Sequence, residues 1–183
     1  MLTQNYFDLF GMPVSFKPDL SVLKSKYYAL SRTFHPDFFT LESAGKQEEM
    51  MTRSGFVNTA YKVLSGDRSR MAYILELHNL LGKEENQILE PSFLMEMMEI
   101  NETIFDLQME FDTSAYDTVI SKVKDVEESL VQEVNKHIFN FEQGQDLDLN
   151  LIKIRDYFLK SKYLLRIREN ISTFAHLNGK TSE

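Results

Sequence analysis

The sequence has no cysteine at all. This excludes disulfides, thiolate nucleophiles and Cys-ligated zinc or iron–sulfur clusters on the chain itself. Proline and glycine are sparse, four and seven of 183 residues, while 43% of the residues are hydrophobic. So few turn-formers with that much apolar content predict one or two mostly helical domains. No apolar run approaches the roughly 18 to 20 residues needed to span a bilayer, and the N-terminus lacks a basic-then-apolar signal pattern. The expectation is a soluble, cytoplasmic protein with no membrane partner. Positive charge is also in short supply: 20 Lys and Arg against 28 Asp and Glu leave a net charge of −8. Phosphate binding needs a basic surface, so nucleic acid is not expected as a partner. The deficit is uneven, since residues 1–75 carry nine basic and seven acidic side chains and 76–183 carry eleven and twenty-one. The two parts are expected to meet different partners.

What is present is organised, at the N-terminal end, around Phe34-His35-Pro36-Asp37-Phe38-Phe39. Asn5 to Phe10 predicts a short helix ended by Gly11-Met12-Pro13. Asp19 is an N-cap candidate, and Leu20, Leu23, Tyr27, Leu30 and Phe34 then recur at helical spacing up to His35. Lys24, Tyr28 and Arg32 lie on the outward face of that helix, with Lys26 on a flank. Pro36 lacks a backbone N–H and pushes His35 out of the α region, so the helix must stop there. After a polar loop from Thr40 to Gly45, Met50, Val57, Ala60, Tyr61 and Leu64 predict another helix, stopped by Ser65-Gly66-Asp67. Taken alone, His-Pro-Asp is either a helix stop or a recognition device, two polar side chains on a rigid bend between helices.

The surroundings bear on that choice. Asn5-Tyr6-Phe7-Asp8-Leu9-Phe10-Gly11, then Phe34-His35-Pro36-Asp37, then Val57-Asn58-Thr59-Ala60-Tyr61-Lys62-Val63-Leu64 resemble a J-domain over about residues 3–75. A J-domain is the helical module by which co-chaperones stimulate the ATPase of DnaK-class chaperones. The resemblance implies a chaperone contact at His35, Pro36 and Asp37, helped by Lys24, Lys26 and Arg32. One departure is visible: many J-domains have Lys directly after His-Pro-Asp, and this chain has Phe38.

Beyond it, Arg68 to Leu81 continues as a helix that Gly82 is expected to end, and Lys83 to Glu90 reads as an acidic linker before Pro91. The expected division is therefore 1–75, a connecting segment 76–90, and 91–183. The last part predicts three long helices. Phe93, Met97, Ile100, Ile104, Leu107 and Phe111 form the seam of the first, and Val119, Val123, Val126, Leu130, Val134 and His137 that of the second. Ile154, Tyr157, Leu164 and Ile171 line the third. With short loops around Asp112 and Gly144, the pattern implies an antiparallel three-helix bundle, and the fold class is all-α.

The first of these helices has a second apolar stripe, Leu94, Met98, Phe105 and Met109, bordered by Glu102, Asp106, Met95 and Glu99. It is either the wide face of a helix with two neighbours, or an exposed patch with an acidic rim that marks a protein-binding surface. Here Ser92-Phe93-Leu94-Met95-Glu96-Met97-Met98-Glu99 resembles the start of the C-terminal domain of HscB-type co-chaperones, which bind the iron–sulfur scaffold protein IscU and deliver it to the chaperone HscA. The resemblance implies scaffold contacts at Leu94, Met98, Glu99 and Glu102, with Tyr163 in Lys162-Tyr163-Leu164-Leu165-Arg166-Ile167.

Catalytic and metal readings find little footing. His78, His137 and His176 lack paired Glu-x-x-His spacing, there is no Gly-rich phosphate loop or serine elbow, and no catalytic residue, metal ligand or cofactor is expected. Three readings remain: an adaptor between an HscA- or DnaK-type ATPase and an IscU-type scaffold, a J-domain protein with a different client, and a small helical hydrolase or metal protein.

Overall fold

The computed structural model describes residues 5–82 and 89–177. It is all-α, with no strand among the described residues. No described helix is long and apolar enough to cross a membrane. The chain forms two compact units, residues 1–79 and 80–183.

The first unit is built on a helical hairpin, α2 (Leu20–Thr33) and α3 (Ala44–Ser65), with α1 (Tyr6–Leu9) and α4 (Asp67–Leu77) packed against α3. Helix α2 starts where the sequence predicts. The Asp19 carboxylate accepts from the backbone N–H of Ser21 at 2.8 Å and of Val22 at 3.1 Å, and from the Ser21 hydroxyl at 2.6 Å. Those bonds, the Ser21 hydroxyl first, hold the carboxyl below its ordinary pKa. The hairpin is fastened by aromatic contact: the Tyr27 ring stacks on Tyr61 at 4.1 Å while its hydroxyl donates to Asn58 Oδ1 at 3.0 Å. Leu23, Met50, Val57, Ala60 and Leu64 are buried, as the stripes predict, but Leu20 is half exposed at the first helical position.

Arg70 is a buried charge that periodicity did not single out. Its Nε donates to the Phe16 carbonyl at 3.0 Å, its Nη1 to the Leu64 carbonyl at 2.6 Å, and its Nη2 pairs with Asp67. A guanidinium can fill three acceptors at fixed angles, which is how it ties the loop before α2 to the α3–α4 corner. The expected helix to Leu81 ends earlier, at Leu77, because Asn79 takes φ 56°, a left-handed conformation that asparagine tolerates and a helix does not. Most of the expected acidic linker, residues 83–88, lies outside the described residues.

The second unit contains α5 (Pro91–Met109), α6 (Thr113–Glu142) and α7 (Leu147–Leu177) as an antiparallel bundle. Its core joins Phe93, Met97, Ile100 and Ile104 of α5 to Val119 and Val123 of α6 and Leu164, Ile167 and Ile171 of α7. Phe111 drops out of the predicted seam because the helix ends at Met109. Asp112 caps α6, accepting from the Ala115 N–H at 2.6 Å. Gly144, at φ 72°, turns the chain into α7. There the buried Asn150 donates from Nδ2 to the carbonyls of Gln145 at 2.8 Å and Asp146 at 3.2 Å, leaving its Oδ1 to face His137 Nδ1 at 2.8 Å. With Oδ1 as acceptor, the ring carries its proton on Nδ1. His137 therefore fastens the α6–α7 turn, and the neighbouring Ile138 is the residue that fills the core.

Candidate functional site

In the first unit, the His-Pro-Asp segment follows α2 directly. His35 sits in the extended region (φ −66°, ψ 124°), and Pro36 opens a 3-10 turn, Pro36–Phe39. The Asp37 backbone N–H donates to His35 Nδ1 at 3.3 Å, whereas the Asp37 carboxylate lies 3.7 Å away, beyond hydrogen-bond length. Nδ1 is thus engaged as an acceptor, which leaves the Nε2 edge to meet a partner. The Phe38 ring meets the imidazole edge-on at 5.7 Å. His35 and Asp37 are exposed, and Phe38 is 71% exposed. A proline, a short helical turn and a ring contact hold these polar groups in one arrangement.

The three basic residues differ. Lys24 and Arg32 project from α2 into solvent, eight residues and about two turns apart. Lys26 turns back instead: its Nζ donates to the Gly11 carbonyl at 3.1 Å. Gly11 itself has φ 54°, a conformation that glycine takes without strain. The structure therefore leaves Lys24 and Arg32 exposed on α2 and gives Lys26 a fastening role.

In the second unit, α5 resolves the two readings of its second stripe. Its seam residues Phe93, Met97, Ile100, Ile104 and Leu107 are buried, which satisfies both neighbouring helices. Leu94, Met98, Phe105 and Met109 are left 37%, 60%, 61% and 78% exposed. The stripe is a surface and not a second core face. Met98, Asn101, Glu102, Phe105 and Asp106 line a shallow open groove along it. Tyr163 of α7 stands at its border, half-buried, with its ring edge-on to Phe93 at 6.1 Å and its hydroxyl 3.4 Å from Asn101 Nδ2.

Not every scaffold candidate falls in this groove. Glu99 lies about 100° around the helix from the middle of the stripe. Its carboxylate accepts from Lys122 Nζ of α6 at 2.9 Å, on the opposite flank from Tyr163. Leu94 and Met98 thus lie on the stripe itself, Tyr163 stands on one flank beside Asn101, and Glu102 and, further round, Glu99 stand on the other. Asn101 was not a sequence candidate, although its wheel position between seam and stripe foretold a bordering role; its Nδ2 also donates to the Met97 carbonyl at 2.8 Å. Among the described residues, no group of three or more His, Asp or Glu is placed to hold a metal ion.

Residues 89–172 match the family model of the HSCB C-terminal oligomerisation domain. The co-chaperone protein HscB homolog of Vibrio cholerae serotype O1 (strain M66-2) is 31% identical over 168 residues, covering 91% of this chain and 94% of that protein. The mouse iron-sulfur cluster co-chaperone protein HscB is 31% identical over 170 residues, covering 92% of this chain and 68% of that protein. Among solved structures, human co-chaperone protein HscB superposes with a TM-score of 0.71 at 30% identity, covering 94% of this chain and 83% of that one.

Proposed function

The chain belongs to the HscB co-chaperone family, and from that premise we propose that it is a non-catalytic adaptor that holds an IscU-type iron–sulfur scaffold on its second unit and presents it to an HscA- or DnaK-type chaperone through its first. The observation that carries this reading is the exposure of both motif sets, one in each unit. In the first unit, His35, Pro36 and Asp37 meet the ATPase, with Lys24 and Arg32 adding attraction along α2. Lys26 contributes by keeping the Gly11 loop against α2. In the second, Leu94 and Met98 supply apolar contact, Glu102 and Glu99 supply charge on one flank, and Tyr163 closes the other flank from α7.

The mechanism is coupling. A chaperone that meets the trigger loop of a scaffold-loaded adaptor finds the scaffold at a high effective concentration, so hydrolysis and client capture occur together. All bond-breaking takes place on the partner ATPase.

The test is chaperone ATPase activity with and without scaffold. His35→Gln is expected to remove most of the stimulation while leaving scaffold binding unchanged. Leu94→Ala with Met98→Ala is expected to weaken scaffold binding about tenfold or more, without loss of thermal stability. Full stimulation by the His35 variant would overturn the trigger assignment. Stimulation that responds to His35, on a chain that captures no scaffold, would point to a J-domain co-chaperone for a different client.

A further inference from the structure

The apolar surface of α5 runs well past the positions that the family motif marks. Leu94, Met98, Phe105 and Met109 fall within about 60° of one another on the helix and span about 22 Å along it, so they form a continuous ridge. A phenyl ring and three other large apolar groups lined up in water are unfavourable for an isolated chain, and the bundle does not use them, because the seam of α5 is already buried. The acidic groups nearest the ridge are all on one side of it: Glu102 and Asp106 border it and are exposed, with Glu99 further round and Glu96 on the opposite face of the helix. On the other side come Asn101 and Gln108, which are neutral. Helix α5 carries four acidic residues and no basic one.

We propose that Phe105 and Met109 are scaffold-recognition residues, extending the site by two helical turns toward the C-terminal end of α5. The partner face they fit is an apolar strip about 22 Å long, bordered on one side by Lys or Arg. The charge argues against a second copy of this chain as the occupant, since apposing α5 to itself would bring acid with no base to answer it. Met98 and Met109, with Phe105 between them, give adaptable groups around a rigid anchor. This inference rests on the scaffold-adaptor reading above and specifies where its binding energy lies.

The experiment is calorimetric titration of the full chain with purified IscU-type scaffold protein as the probe, alongside thermal unfolding and sedimentation of each variant. Phe105→Ser with Met109→Ser is expected to weaken binding about tenfold or more with an unchanged unfolding midpoint. Phe105→Gln alone gives a smaller loss and guards against a folding defect in the double variant. Binding within about twofold of the parent by both Phe105 variants, while Leu94→Ala with Met98→Ala loses it, overturns the extension and leaves the adaptor reading standing. Parental binding by every variant overturns both. A fall in sedimenting mass at unchanged affinity assigns the ridge to a second copy and also overturns the proposal.

Discussion

Two residues apart on α2, Lys24 and Lys26 have different surroundings. Lys24 ends in solvent, while the Lys26 ammonium is bonded to the Gly11 carbonyl. Replacing Lys26 with Met is expected to lower stability by roughly 1 kcal/mol, because a charge-assisted but solvent-accessible bond to a loop carbonyl is lost. Lys24→Met is expected to leave stability within about 0.5 kcal/mol of the parent. Denaturant unfolding distinguishes them. The difference was not legible in the sequence, where both are lysines on or beside an outward face. A wheel gives the direction in which a side chain leaves the helix, not what a loop brings to meet it. Glu99 makes the same point, since its partner Lys122 is 23 residues away on another helix. Exposure of His35 and Asp37 was legible, because Pro36 alone forces the bend that displays them.

At the scale of elements, periodicity located the hairpin, the three long helices and the seam of α5 down to Leu107. It failed at ends and corners, where side chains answer backbone groups. Helix α4 stops at Leu77, before the left-handed Asn79, and the α3–α4 corner is held by the buried Arg70. One such tie has a pH signature. Lys160 of α7 donates to Glu90, the residue before α5, at 2.7 Å, and lies over the Phe93 ring at 5.6 Å. Hydrogen bonding to Lys160 first, and its charge second, hold the Glu90 carboxyl below its ordinary pKa. A carboxyl lowered on folding stabilises the fold fully above its unfolded pKa and loses that contribution as pH falls through the folded value. Glu90→Gln is therefore expected to lower the unfolding midpoint at pH 7 and to match the parent well below the ordinary glutamate range. The difference is at most about 1 kcal/mol, since Glu90 is largely exposed and the pair is screened. Midpoints of the two proteins across an acid pH series measure it.

For the whole molecule, the division at Asn79 and Leu80 gives each unit its own core and one of the two proposed recognition surfaces. If the adaptor works by raising local concentration, the covalent connection matters as much as either surface. Residues 1–79 and 80–183 supplied as separate polypeptides at micromolar concentration are expected to lose the extra ATPase stimulation that scaffold provides. A short tether supplies an effective concentration nearer millimolar. An unchanged response to scaffold in the split pair would mean that the units act independently. A charge contrast was legible from composition alone, and it separated residues 1–75, of net charge +2, from residues 76–183, of net charge −10.

The methionines of the α5 ridge have one more consequence, which concerns chemical damage. Met95, Met98 and Met109 hold their thioethers in solvent, whereas Met97 on the same helix and Met50 on α3 are sealed in cores. On a chain with no thiol to be consumed first, peroxide reaches the ridge before the interior. Each sulfoxide replaces an adaptable apolar end with a polar one. Oxidation would then turn Met98 and Met109, two of the four ridge positions, polar while the bundle beneath them stays folded.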